Sequence, residues 1–374
     1  MKQFQSGNYI SQGYYKSFQP SLVNRQWKFT DMEVLYLLSM ADQELGRLDM
    51  FSNYVPNIEL FISMHVIKEA TSSSRIEGTQ TNIDEALLSE KEIPLDKRDD
   101  WEEVQNYIKA LNWSIKELKE IPLSSRLIRA THRELLQGVR GESKEPGEFR
   151  RSQNWIGGAT LKDATFVPPV QTSVPDLMSD LEKFFHNEEL SIPELLKIAL
   201  VHYQFDTIHP FLDGNGRTGR LIIALYLISI GVIKKPVLYL SDFLEKNRNH
   251  YYDNLMAVRD SNNISQWLKF FLVGIIETAK SGIKTFDSIL QLQQRTDLKI
   301  SKMGTRSSKA AGIMNYLYEH PMIDAEKVSQ VADISMPSAY KLIKELEAQK
   351  ILVEITGGQR GRNYVFEEYL ALFR

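Results

Sequence analysis

The chain has 374 residues, 43% of them hydrophobic and 25% charged. That composition excludes a disordered chain and leaves ample material for a core. At roughly 150 residues per domain it predicts two or three domains. A formal net charge of −3 excludes a basic whole-chain footprint for nucleic acid. The absence of cysteine excludes disulfides, thiolate nucleophiles and Cys-ligated zinc or iron–sulfur sites, and fits a reducing cytoplasm. The N-terminus has no apolar core typical of a secretory signal. The longest apolar run, residues 221–233, is too short to span a bilayer and predicts a buried helix, not a membrane contact.

Helix signals dominate in chain order, so the expected fold class is mainly α. Thr30-Asp31-Met32-Glu33 reads as a capping box before an apolar-periodic run. Pro56 and Asn57 open a second helix over IELFISMHVIKEA, and a third starts near Asp100 and stops at Pro122. Ser124 or Ser125 caps the next, and Asp176 starts another. Ser191-Ile192-Pro193-Glu194 reads as a capping box opening LLKIALVHYQFDTI. A helix from about Asn215 to Ile230 follows a Gly-rich turn, and two more are expected near 242–259 and 264–281. Trp155 to Val167, with Gly157-Gly158, strand formers at 165–167 and Pro168-Pro169 behind them, predicts a short β-hairpin. The Lys/Ser-rich stretch at 299–309 predicts a linker. Beyond it, Asp324 and Ser335 cap two of three helices, and two β-type runs flank Gly357-Gly358 and Gly361. Three helices and a hairpin are the order of a winged helix. The expected division is an N-terminal helical region over 1–100, a core over 101–298 and a winged-helix domain over 299–374.

The chemistry concentrates in His209-Pro210-Phe211-Leu212-Asp213-Gly214-Asn215-Gly216-Arg217-Thr218-Gly219-Arg220. Pro210 and the Asp-Gly-Asn-Gly run break a helix into a tight turn, and a new helix starts at about Asn215. Its free N–H groups make an anion site. Arg217 and Arg220 share one face of its first turns, where cations are unfavourable without an anion. Asp213 is a hard oxygen ligand suited to a Mg²⁺ shared with phosphates. His209 can accept a proton near neutral pH. Together these parts suit phosphoryl or nucleotidyl transfer from a nucleoside triphosphate to a hydroxyl. The other six histidines show no metal-ligand spacing and read as packing or surface residues.

HPFLDGNGRTGR resembles the Fic motif, HxFx(D/E)GNGRxxR, at every defining position, and HYQFDTI and PVLYLS resemble flanking Fic sequence. The resemblance covers roughly residues 30–290. It implies a Fic-type helical bundle and transfer of AMP from ATP to a Ser, Thr or Tyr hydroxyl of a protein, the chain itself included. His209 would be the base and Asp213 the Mg²⁺ ligand. Gly214, Asn215 and Gly216 would cradle phosphate, Arg217 would meet the β-phosphate and Arg220 the γ-phosphate. Gln204 and Ser241 would line the nucleotide pocket, and the 155–167 hairpin would be a flap that docks the target. The intact motif argues against a phosphate-transferring branch of the family.

Ser73-Ser74-Arg75-Ile76-Glu77-Gly78 resembles the family's inhibitory pattern (S/T)xxxE(G/N). Glu77 would pair with Arg220 and leave ATP in a non-productive pose. The same residues would serve removal of AMP, with Glu77 orienting water. A regulator with a nucleotide-sensing core is a third reading. DNA contact by the C-terminal unit would use Lys341, Lys344, Arg360 and Arg362, yet residues 301–374 carry a net charge of only +1. A protein contact or homodimer is an equal candidate.

Overall fold

The computed structural model describes residues 4–139, 141–358 and 361–374. A hairpin of β1 (Gly7–Ser11) and β2 (Lys16–Pro20) precedes α1 (Met32–Tyr54), α2 (Glu59–Ile76), the short α3 (Ile83–Ala86), α4 (Arg98–Glu117) and α5 (Ser125–Leu135). Next come α6 (Val174–His186), α7 (Glu194–Ile208), α8 (Asn215–Ser229), α9 (Ser241–Lys246), α10 (Arg248–Ser261) and α11 (Ile264–Ser301). None of the described helices is long and apolar enough to cross a membrane.

The centre of the fold follows from α7. Every residue from Leu195 to Ile208 is buried, and a helix with no polar face must be surrounded by protein. It packs on α8, whose run from Leu221 to Leu227 is buried as the apolar 221–233 stretch predicts. α1 lies along α11 on the outside of this pair. His209 and Asn215, which bound the turn between α7 and α8, are thereby fixed by the two most buried helices.

Ser124 caps as expected, accepting from Leu127 N–H at 3.4 Å. The Thr30–Glu33 box does not form: the cap falls one residue later, on Asp31, which accepts from the N–H groups of Glu33 and Val34 at 3.0 and 3.4 Å. The Ser191–Glu194 box does not form. Pro193 stands at the N-cap with no side-chain bond, and Ser191 is left-handed (φ 47°) because it ends a 3₁₀ turn over Glu188–Leu190. The helix expected near 242–259 is two, α9 and α10, divided at Asn247.

The expected linker is a correction. α11 runs 38 residues and the next helix, α12 (Ser307–Glu319), begins after a single 3₁₀ turn over Gly304–Arg306. Polar composition there reflects a solvated helix face rather than a tether. Beyond α12 the order is β3 (Met322–Asp324), α13 (Ala325–Ala332), α14 (Met336–Ala348), β4 (Val353–Glu354), β5 (Asn363–Val365) and α15 (Glu367–Leu370). The antiparallel sheet has the order β3-β5-β4, so β5 pairs with an additional strand that the sequence reading lacks. Lys341 and Lys344 are exposed on α14, and Arg360 lies outside the described residues. The unit sits on α2, with Phe61 packed edge-on to Tyr318 at 5.2 Å and the Ser63 hydroxyl donating to Glu319 O at 2.9 Å.

Candidate active site

α7 ends at His209, which takes a left-handed conformation (φ 50°, ψ 59°) while its N–H still closes the last turn on Phe205 O at 2.9 Å. Pro210 cannot continue the helix. The turn is stapled by Asn215, whose Oδ1 accepts from Phe211 N–H at 2.8 Å and whose Nδ2 donates to Phe211 O at 2.9 Å. Gly214 (φ 71°) supplies the left-handed step into α8. Asn215 lines the cleft, but its amide is buried and bonded at both ends within the turn.

A cleft of about 470 Å³ opens over this helix start. His209, Asp213, Gly214, Gly216 and Arg220 line it, and Glu77 enters it from α2. Tyr251, Tyr252 and Met256 of α10 form another side, and Trp155, Ile156 and Thr165 the mouth. Burial pushes the His209 imidazole down to about 4, against the opposing pull of the Asp206 carboxylate. The ring is thus neutral at neutral pH. Its Nδ1 lies 3.3 Å from Asp206 O, which can only accept, so Nδ1 carries the hydrogen and Nε2 keeps a lone pair.

Asp213 is half-buried, with Oδ1 accepting from Gly214 N–H at 2.6 Å. Its backbone is held by His132, read from sequence as a packing residue. Gly147 N–H donates to His132 Nδ1 at 2.8 Å, which leaves Nε2–H to donate to Asp213 O at 2.9 Å. The ring stacks on Phe211 at 3.7 Å, and burial pushes it down to about 4. No motif marks this histidine, since its partners are backbone groups.

Arg220 is the meeting point of the two motifs. Its Nε donates to Ser73 Oγ at 2.8 Å, and Nη2 donates to Ser73 O at 2.9 Å and Glu77 Oε1 at 2.7 Å. Ser73 and Glu77 are four apart, so the last turn of α2 brackets the guanidinium. Gly78 (φ 107°) then turns the chain away. Gly216 makes room, because a Cβ there would collide with Glu77 Oε1. Burial, the largest single influence, would raise the Glu77 carboxyl, but the Arg220 charge, its hydrogen bond and the nearby Arg217 together hold the group below its ordinary value.

Three assignments need correction. The Arg217 guanidinium is buried and paired with Glu103 of α4 at 2.8 Å; it does not itself line the cleft, but its Nη2 lies 3.8 Å from Oδ1 of the cleft-lining Asp213. Gln204 donates to Ser21 O at 3.0 Å, facing the N-terminal segment rather than the cleft. Ser241 caps Glu69, donating from Oγ at 2.5 Å and from N–H at 3.1 Å. A polar side chain in a buried helix shows its type in the sequence but not the direction it faces. The 155–167 hairpin contracts to one antiparallel bridge, Ile156 with Phe166, around a turn in which Thr160 Oγ1 donates to Asp163 Oδ2 at 2.9 Å. Val167 O also accepts from Phe18 N–H at 2.9 Å, so β2 abuts the flap.

Residues 35–116 match the Fic/DOC family N-terminal domain and residues 122–227 the Fic/DOC family domain, together half the chain. The chain belongs to the Fic/DOC family. It is 32% identical over 164 residues to a protein named protein adenylyltransferase Fic from Drosophila yakuba, but spans only 30% of that protein's length. It is 24% identical over 290 residues to a probable protein adenylyltransferase of Aquifex aeolicus, covering 74% of this chain and 85% of that one. Among solved structures, a Fic family protein from Desulfovibrio desulfuricans superposes with a TM-score of 0.57 at 17% identity, covering 91% of this chain and 97% of that one. Fic-1 from C. elegans superposes at 0.52 and 20% identity, covering 70% and 74%. These two likenesses establish the Fic fold.

Proposed function

We propose that the protein transfers AMP from ATP to a Ser, Thr or Tyr hydroxyl of a protein, its own chain included, and that Glu77 restrains it. The observation that carries this reading is the convergence, in one cleft, of a neutral His209, the N-terminus of α8 and an Arg220 held by Glu77. The names of the relatives agree with it.

In this reading the α8 N–H groups receive phosphate oxygens. The target hydroxyl attacks the α-phosphorus, His209 Nε2 takes its proton, and the bond to pyrophosphate breaks. Arg220 would hold the γ-phosphate, and Glu77 stands in its way. Asp213 would hold Mg²⁺. Among the described residues no cluster of three His, Asp or Glu could hold a metal unaided, and a single carboxylate completed by phosphates and water is coordination that Mg²⁺ accepts. Bound there, the ion would offset phosphate charge.

A second reading, removal of AMP by water, is favoured by one feature: the Glu77 carboxylate lies in the same cleft as His209. Incubation with α-labelled ATP and Mg²⁺, with and without cell lysate, separates the two. Strong labelling by Glu77→Gly, little by wild type and none by Glu77→Gly/His209→Ala supports transfer with built-in restraint. If ATP binds but no variant labels anything, transfer is rejected.

A further inference from the structure

Arg150, in the loop between α5 and α6, is only 2% exposed. Every hydrogen bond of its guanidinium ends on a backbone carbonyl. Nε donates to His209 O at 2.9 Å, Nη1 to Ser152 O at 3.2 Å, and Nη2 to Pro169 O at 2.5 Å and Ile208 O at 3.3 Å. Its own N–H donates to Pro210 O at 2.8 Å. No carboxylate among the described residues pairs with it, and burial pulls it down to about 10. A buried cation without a counter-charge costs several kcal/mol before its hydrogen bonds are counted. A core plug would be better served by an apolar side chain. Only a planar fork of five donors can gather four carbonyls lying in different directions.

Those carbonyls come from three places. Ser152 leads into the flap, Pro169 leaves it, and Ile208 and His209 end α7. The left-handed His209 needs such a hold, because a non-glycine residue in that region is strained and persists only where its surroundings fix it. Asn154 assists, donating from Nδ2 to His209 O at 3.2 Å and Phe211 O at 2.8 Å. We propose that Arg150 is a positioning residue that ties both legs of the flap to the turn carrying His209, so that a hydroxyl presented along the flap meets the imidazole in one geometry. The catalytic part of this inference rests on the AMP-transfer reading; the tie itself does not.

The test uses the full chain with Glu77→Gly as parent and adds Arg150→Lys, Arg150→Gln or, as the milder change, Asn154→Ala. Three quantities are read: trypsin cleavage after Lys162 at the exposed flap tip, the His209 Cε1–H signal in NMR, and kcat and KM for ATP in self-labelling. For both Arg150 variants, cleavage should quicken about tenfold or more as the flap opens locally, and the His209 signal should move. Self-labelling kcat should fall about 10²-fold, the scale of an ångström-level misplacement, with KM for ATP within about twofold. Lysine keeps the charge but not the fork, so it should behave like glutamine. Asn154→Ala should shift the same signals less, and it decides the matter if the Arg150 variants do not fold. Parental cleavage and a parental His209 signal would overturn the tie. A parent that labels nothing would reject AMP transfer, while the cleavage and NMR readings would still decide the tie.

Discussion

Arg217 and Arg220 stand one turn apart on α8, and each is paired with a glutamate from a distant helix. Arg217 meets Glu103 at 2.8 Å, with side chains 3% and 2% exposed. Arg220 meets Glu77 at 2.7 Å, with side chains 2% and 33% exposed. The lengths are alike and the surroundings are not. The first pair is sealed between α4 and α8, with Asp213 Oδ1 a further 3.8 Å neighbour of the Arg217 guanidinium. The second opens on the cleft, and Ser73 holds the Arg220 guanidinium by two further bonds. In the proposed reading Glu77 would give way to another anion while the arginine stays in place. Of two neighbouring pairs, one is framework and the other is exchangeable.

The sharpest test of that contrast removes Glu103. Glu103→Ala leaves the buried Arg217 charge with only the more distant Asp213 carboxylate and should cost about 3–5 kcal/mol, read as a lowered urea midpoint. A cost below about 1 kcal/mol would erase the distinction. Next is Glu77→Gly. Self-labelling should rise roughly 5–150-fold, the range of a coupling of about 1–3 kcal/mol, and an unchanged rate would mean that the open pair restrains nothing. Glu77→Ala should move stability by less than about 1 kcal/mol, as for other partly exposed pairs, and the same urea titration checks it.

The smallest effect is on pH. Glu77 is held below its ordinary value, so the pair's contribution is complete above the unfolded carboxyl range of about 4.3 and drains only as pH falls through the folded value. Burial keeps His209 neutral down to about 4. Wild-type and Glu77→Gly rates should therefore run parallel between about pH 8 and pH 5. Wild-type activation beginning near about pH 6 would show that Glu77 is not the titrating partner.

Local signals proved legible where the partner is local. Ser124 and Asp324 cap helices as expected, while at Thr30–Glu33 the cap falls one residue later, on Asp31. The stretch from His209 to Arg220 is contiguous, so its turn and the start of the next helix could be read directly. Glu77 and Arg220 are 143 residues apart, and only the resemblance joined them. Glu103 adjoins Glu102 in an acidic helix start, and nothing local distinguishes the one that pairs with Arg217. His132 and Arg150 are invisible for another reason: both act on backbone carbonyls, which every residue possesses. β1 and β2 escaped notice because GNYIS and KSFQP lack a clear polar–apolar alternation. Secondary-structure periodicity was thus readable, whereas side-chain direction within buried α7 and α9 was not.

The carboxylate on Arg220 belongs to the same chain as the arginine. Contact between them is unimolecular, so dilution leaves it untouched. A tethered group acts at an effective concentration of about millimolar or more, so in the proposed reading ATP would have to displace a competitor that cannot diffuse away. Raising the protein concentration would not deepen such a restraint, and washing would not lift it. What would change the balance is movement of the last turn of α2 itself, whose other end lies against the C-terminal unit at Phe61 and Ser63.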